Sequence, residues 1–184
     1  MDDAFSVHLD GAEELRKRLA DLSDKLRKKV VLSALRKAAG IIRVEAKKNT
    51  PVLKRPKKYR KPGTVRDNIT VRASKFAKGS GDLGVYVGVR PLRGKARVAK
   101  FGKASAQNPN DPYYWWWVEF GYKVVPPKSK ANPGSITKRR KAAKHSVPGK
   151  RFLTKAGDTK GQAAIDTFMA QVVPAIEKFN GRSS

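Results

Sequence analysis

Apolar residues follow two different periods along the chain, and the switches between them mark the expected elements. Phe5, Val7 and Leu9 alternate with Ser6 and His8, the two-residue period of a short strand. Asp10-Gly11-Ala12-Glu13 resembles a capping box, and Leu15, Leu19, Leu22 and Leu26 follow it as one stripe of an amphipathic helix. A longer helix is expected near 24–48, where Val30, Val31, Ala34, Leu35, Ala38, Ile41, Ile42 and Ala46 keep helical spacing. Its small residues Ala34, Ala38, Ala39 and Gly40 would let a neighbour pack closely, and Asn49-Thr50-Pro51 ends it, because the residue before proline avoids the α region. Ile69, Val71 and Ala73, then Val85, Val87 and Val89, alternate on either side of Gly79-Ser80-Gly81-Asp82, which predicts a hairpin. Ile165, Phe168, Met169, Val172, Val173, Ile176 and Phe179 return to helical spacing, so a last helix is expected over 159–179, kinked or ended at Pro174.

The densest apolar stretch is Tyr113-Tyr114-Trp115-Trp116-Trp117-Val118-Glu119-Phe120-Gly121-Tyr122-Lys123, which holds all three tryptophans. Read as a strand, it puts Tyr114, Trp116, Val118 and Phe120 on an inward face. Tyr113, Trp115, Trp117 and Glu119 then fall on the other, covered by a helix or by another chain. In a core, Trp116→Ala would cost about 3–5 kcal/mol. Glu119, set among aromatics, needs a cation or hydrogen-bond donors if buried; pairing with a nearby Lys or Arg is the preferred expectation.

Charge changes the picture most. The 184 residues hold 42 Lys and Arg against 15 Asp and Glu, for a net +27. The excess is segregated: residues 46–157 carry 29 basic and four acidic side chains, whereas both ends are close to balanced. Three stretches stand out. The first is a basic loop or insertion at 54–63 with Lys54, Arg55, Lys57, Lys58, Arg60 and Lys61; the second is a basic loop at 91–112, which with Arg90 contributes Arg93, Lys95, Arg97, Lys100 and Lys103. The third is a proline- and lysine-rich excursion at 124–147 with Lys138, Arg139, Arg140, Lys141 and Lys144. All seventeen are candidate contacts to nucleic acid or to an acidic partner. Such contacts would go to phosphate, since no recognition-helix pattern is evident.

Length suits one domain over 1–184 with insertions. No run approaches the roughly 18 apolar residues of a membrane span, and the acidic Met1-Asp2-Asp3 is unlike a signal peptide, so a soluble, unprocessed chain is expected. Catalytic parts are scarce. There is no cysteine, and the only histidines are His8 and His145. The four central acids, Asp67, Asp82, Asp111 and Glu119, are not spaced like a metal motif, so no catalytic, cofactor-binding or metal-binding residue is expected. A nuclease centre built from those acids by folding is the residual enzymatic alternative.

The order of these segments resembles the tail-completion or neck proteins of long-tailed bacteriophages, relatives of gene product ten of phage HK-ninety-seven. The likeness is carried by Ala46-Lys47-Lys48-Asn49-Thr50-Pro51-Val52, by Val118-Glu119-Phe120-Gly121, and by Pro148-Gly149-Lys150-Arg151-Phe152-Leu153-Thr154-Lys155-Ala156. Tyr122 stands where that family usually has threonine, and Arg151 and Lys155 where it usually has proline. The resemblance implies a virion structural protein, assembled in the host cytoplasm, that acts at the head–tail junction as a ring-forming or ring-bound subunit without a cofactor. Its implied partners are other neck and tail proteins: the tail terminator, tube or head-completion proteins. Beside it, Tyr114, Trp115, Trp116, Trp117, Val118, Glu119, Phe120, Phe152 and Leu153 become the expected centre of core and assembly. The expected fold is α+β, with an N-terminal helix pair and a C-terminal helix on a small, mainly antiparallel sheet with long basic loops. The main alternative is a nonspecific nucleic-acid-binding protein, ribosomal or nucleoid-like.

Overall fold

The computed structural model describes residues 17, 24–75, 82–126, 135–141 and 145–180. Its elements run α1 (Asp24–Asn49), α2 (Thr64–Asp67), β1 (Ile69–Ala73), β2 (Val85–Val89), α3 (Lys95–Phe101), α4 (Trp115–Phe120), β3 (Gly121–Lys123), α5 (Ile136–Lys141), β4 (Ser146–Pro148) and α6 (Phe152–Asn180). The expected strand through Phe5–Leu9, the box at Asp10–Glu13 and the Gly79–Gly81 turn lie outside the described residues, as does the first helix of the N-terminal pair apart from Lys17.

The two long helices pack antiparallel. Val30, Val31 and Ala34 of α1 meet Val172 and Ile176 of α6, while Ala46, near the other end of α1, meets Phe152 and Ala156 at the start of α6. Ala34 and Ala46 present almost no side-chain bulk, so the helices approach closely, as the run of small residues predicts. Val172 and Ile176 are fully buried, worth about 1.5–3 kcal/mol each. At its exposed edge the pair is joined by Lys37 Nζ, which donates to Gln171 Oε1 at 2.5 Å.

The predicted hairpin forms. β1 and β2 pair antiparallel with Ile69 opposite Val89 and Ala73 opposite Val85. Its apolar face lies against α1, so that Ile69 and Val89 close the cluster around Ala46 and Phe152. The α+β reading therefore holds, with antiparallel strands divided between two two-stranded sheets, β1–β2 and β3–β4. α1 ends at Asn49, where Thr50 turns its hydroxyl back to the Ala46 carbonyl at 2.6 Å.

Three local expectations need correcting. The aromatic stretch is a short helix, α4, and only Gly121–Lys123 is strand. Trp115 N–H donates to the Pro112 carbonyl at 2.9 Å and Trp117 N–H to Tyr114 at 3.1 Å, so the chain coils directly after Pro112. Tryptophan and tyrosine favour strands through cross-strand packing and not through a strict backbone preference, and here the core rewards a helical face instead. The second correction concerns α6, which begins at Phe152, well before Thr159, and continues through Pro174 to Asn180. The third is that the basic loops contain built structure: α3 lies within 91–112, and α5 and β4 within 124–147. Asn108 orders the first of these by donating to the Phe101 and Lys103 carbonyls at 2.8 and 2.9 Å.

Candidate interaction site: an aromatic groove beside a basic surface

Helical coiling of 115–120 regroups the aromatic side chains. Tyr114, Trp115 and Val118 turn inward against the cluster of Ile69, Val89 and Phe152. Trp116, Trp117 and Phe120 turn outward, at 55%, 48% and 53% exposure. The inward placement expected of Trp116 and Phe120 is thus overturned: a period of 3.6, not 2, decides which positions share a face. The outward rings still touch one another. Trp116 and Phe120 lie 4.3 Å apart, and Trp117 packs edge-on to Tyr113 at 5.9 Å.

Glu119 holds this element in place. It is 1% exposed, yet its partners are not the expected Lys or Arg. Its carboxylate accepts the Leu153 N–H at 3.0 Å, the Thr154 N–H at 2.9 Å and the Thr154 hydroxyl at 2.7 Å. Those are the second and third residues of α6, whose flanking residue Arg151 has no side-chain oxygen to cap them. Glu119 supplies the missing cap from another segment, where an anion also complements the helix dipole. Burying a carboxylate is tolerable because every contact is charge-assisted.

The backbone around this cap is tight. Lys150 N–H donates to Val118 at 2.8 Å and Arg151 N–H to Glu119 at 3.0 Å. A β-carbon on Gly149 would sit 2.1 Å from the Glu119 carbonyl oxygen, and one on Gly121, whose φ is 83°, would sit 2.4 Å from that of Val147. β3 and β4 then pair antiparallel, Gly121 opposite Pro148 and Lys123 opposite Ser146. Between this pair, α4 and Pro51 opens a groove of ≈ 740 Å³, lined by Trp116, Trp117, Tyr122 and Val147 and bordered by Arg60, Lys123 and Lys150. Exposed apolar residues clustered in this way mark interaction surfaces.

The basic candidates divide by position. Lys54, Arg55, Lys57, Lys58, Arg60 and Lys61 are exposed on an arm whose tip is closed by paired backbone bonds between Lys57 and Arg60. Arg60 lies over the Tyr114 ring at 4.9 Å, which links the arm to the groove. Burial pushes the Tyr114 phenol above its usual pKa, and the Arg60 charge opposes that shift. At the base of the arm, the Thr64 hydroxyl donates to the Pro109 carbonyl at 2.9 Å. Arg90, Arg93, Lys95, Lys100 and Lys103 are exposed, whereas Arg97 is half-buried and donates to Asn68 Oδ1. Desolvation, and then the charges of Arg90 and Arg72, lower the Arg97 pKa, against the pull of Asp111. Lys138 is exposed; Arg139 is half-buried and donates to the Pro126 carbonyl at 2.6 Å. Arg140 and Lys141 belong to α5, and Lys144 lies outside the described residues.

The four central acids hold separate positions. Asp67 pairs with Arg66 at 3.0 Å, Asp82 is exposed, Asp111 is buried and accepts the Ser105 N–H at 3.0 Å, and Glu119 caps α6. Among the described residues, no three or more His, Asp or Glu side chains are placed to hold a metal ion, and no helix is long and apolar enough to cross a membrane. What sequence reasoning missed was the capping partner, Thr154. The signal available was an α6 flanking residue unable to cap, together with an isolated acid in an apolar segment.

No curated protein and no solved structure matches the chain. Residues 13–121, more than half of the chain, match the HK97-gp10-like family model, and the span ends on the Gly121 that follows the capping glutamate. On that match the chain belongs to the HK97-gp10-like family of bacteriophage tail components.

Proposed function

We propose that this tail component acts in tail completion and head–tail joining as a ring-forming or ring-bound subunit of the virion neck. Its role is structural, without catalysis or cofactor. The observation that carries the reading is the aromatic groove, because Trp116 and Trp117 on α4 and Tyr122 on the adjoining β3 are held half-exposed beside the Glu119 cap that locks α4 to α6. Aromatic side chains fixed at a surface are the usual anchors of protein–protein contacts. Other neck and tail proteins, such as the tail terminator, tube or head-completion proteins, are the partners this surface suits.

The basic residues at 54–61, 90–103 and 138–144 would face the DNA passage or acidic neighbours, with contacts to phosphate and not to base edges. At +27 the chain repels its own copies unless such a counter-charge is present. A free nucleic-acid-binding protein would account for the charge but leaves the groove without a role. The test is to delete the gene from the phage that encodes it and examine the lysate by electron microscopy. Separate heads and tails, joined again when the chain is supplied, are expected; intact virions in its absence would sink the reading.

A further inference from the structure

We propose that the aromatic groove of one copy receives the acidic N-terminal segment, residues 2–14, of a neighbouring copy. The inference rests on the homo-oligomeric reading above and supplies the link between successive subunits.

The groove sets the chemistry of its occupant. Its apolar lining of Trp116, Trp117, Tyr122 and Val147 is bordered by Arg60, Lys123 and Lys150, and among the described residues no carboxylate lines it. It therefore suits a segment with apolar side chains and negative charge. The chain itself contains one: residues 1–14 hold Asp2, Asp3, Asp10, Glu13 and Glu14 and no Lys or Arg. Outside it, any window of that length lacking Lys and Arg holds at most two acids. Phe5, Val7 and Leu9 alternate within the segment, the period of an added strand. The β3–β4 pair beside the groove has no third strand among the described residues, and β4 is exposed along its whole length. An edge of this kind is a template for pairing with another chain.

Charge favours a neighbour's segment over the chain's own, since each copy is strongly positive. Pro51, just past the end of α1, lines the groove, whereas the N-terminal segment joins α1 at its opposite end. The 26 residues of α1 separate the two by about 39 Å. Pairing an acidic segment with a basic rim also offsets the repulsion between two strongly positive copies.

The chain has no native cysteine, which permits a direct test on the full-length protein. Phe5→Cys and Tyr122→Cys chains are prepared separately, mixed and oxidised, alone and with the other neck and tail proteins. Tyr122 is 49% exposed, so its replacement spares the core; Lys123→Cys, also exposed, serves as a second partner position. The mixture is expected to form an interchain disulfide at least about tenfold above either preparation alone, because docking raises the local thiol concentration. Replacing Asp2, Asp3 and Asp10 with Lys in the Phe5→Cys chain is expected to lower that yield about fivefold. Light scattering on the same samples separates the outcomes. An assembled but unlinked mixture overturns this proposal, leaves the ring reading standing and gives the groove to another protein's acidic segment. An intrachain disulfide in a Phe5→Cys/Tyr122→Cys double variant overturns docking between copies. A chain that stays monomeric and unlinked even with its neck and tail partners overturns both readings.

Discussion

Glu119 and Thr154 are 35 positions apart in the chain, and the carboxylate of the first accepts both the backbone N–H and the hydroxyl of the second, at 2.9 and 2.7 Å. Through this contact the aromatic element and the last helix become one unit. The Glu-Phe-Gly and Phe-Leu-Thr segments, separate in sequence, are the two halves of a single cap.

Removing the cap should therefore be costly. Glu119→Ala leaves the part-buried Leu153 and Thr154 N–H groups without their acceptor and is expected to lower stability by about 2–3 kcal/mol. Thr154→Val, which loses only the hydroxyl bond, should cost about 1 kcal/mol. Urea denaturation followed by circular dichroism measures both. A Glu119→Ala cost no larger than that of Thr154→Val would contradict the capping role.

The tryptophans should differ sharply despite being adjacent. Trp115 packs against the cluster of Ile69, Val89 and Phe152, so Trp115→Ala should destabilise by about 3 kcal/mol. Trp116 and Trp117 are about half exposed, and their replacement by Ala should cost under about 1 kcal/mol while weakening assembly. Melting temperature and particle formation, measured on the same three variants, check the split. Equal loss of stability at Trp115 and Trp116 would restore the core reading of Trp116.

Gly149 and Gly121 tolerate no side chain. Gly149→Ala forces a methyl to 2.1 Å from the Glu119 carbonyl oxygen, and Gly121→Ala adds a positive φ to a similar clash. Each should destabilise by about 3 kcal/mol or more. Gly157, where an added β-carbon would meet nothing within 4 Å, is the control. Gly157→Ala, inside α6, should stabilise by up to about 1 kcal/mol. Thermal unfolding of the three variants tests this ordering.

Polyanion binding should depend steeply on salt. If the arm at 54–61 contacts phosphate, replacing Lys54, Lys57 and Lys58 with Ala should weaken binding to duplexes of any sequence alike. It should also flatten the log-affinity against log-salt slope by up to about 0.9 for each phosphate no longer neutralised. Fluorescence anisotropy with two unrelated duplexes suffices. An unchanged slope would remove the arm from the DNA-facing surface.

Much of this was legible in the chain by itself. The stripe through Val30 and Ala46, the stop at Thr50-Pro51 and the hairpin from Ile69 to Val89 follow from local periodicity and turn chemistry, which need no partner. Segregated charge and the residues carrying the family resemblance were equally plain. Tertiary structure alone decided the conformation of Trp115–Phe120, because short aromatic runs satisfy strand and helix alike and the choice falls to whichever face the core can bury. It also decided where α6 begins and which donors satisfy the Glu119 carboxylate. A helix end without a cap of its own takes its acceptor from wherever the fold brings one, and the pairing of Glu119 with Thr154 exists only once the chain has closed on itself.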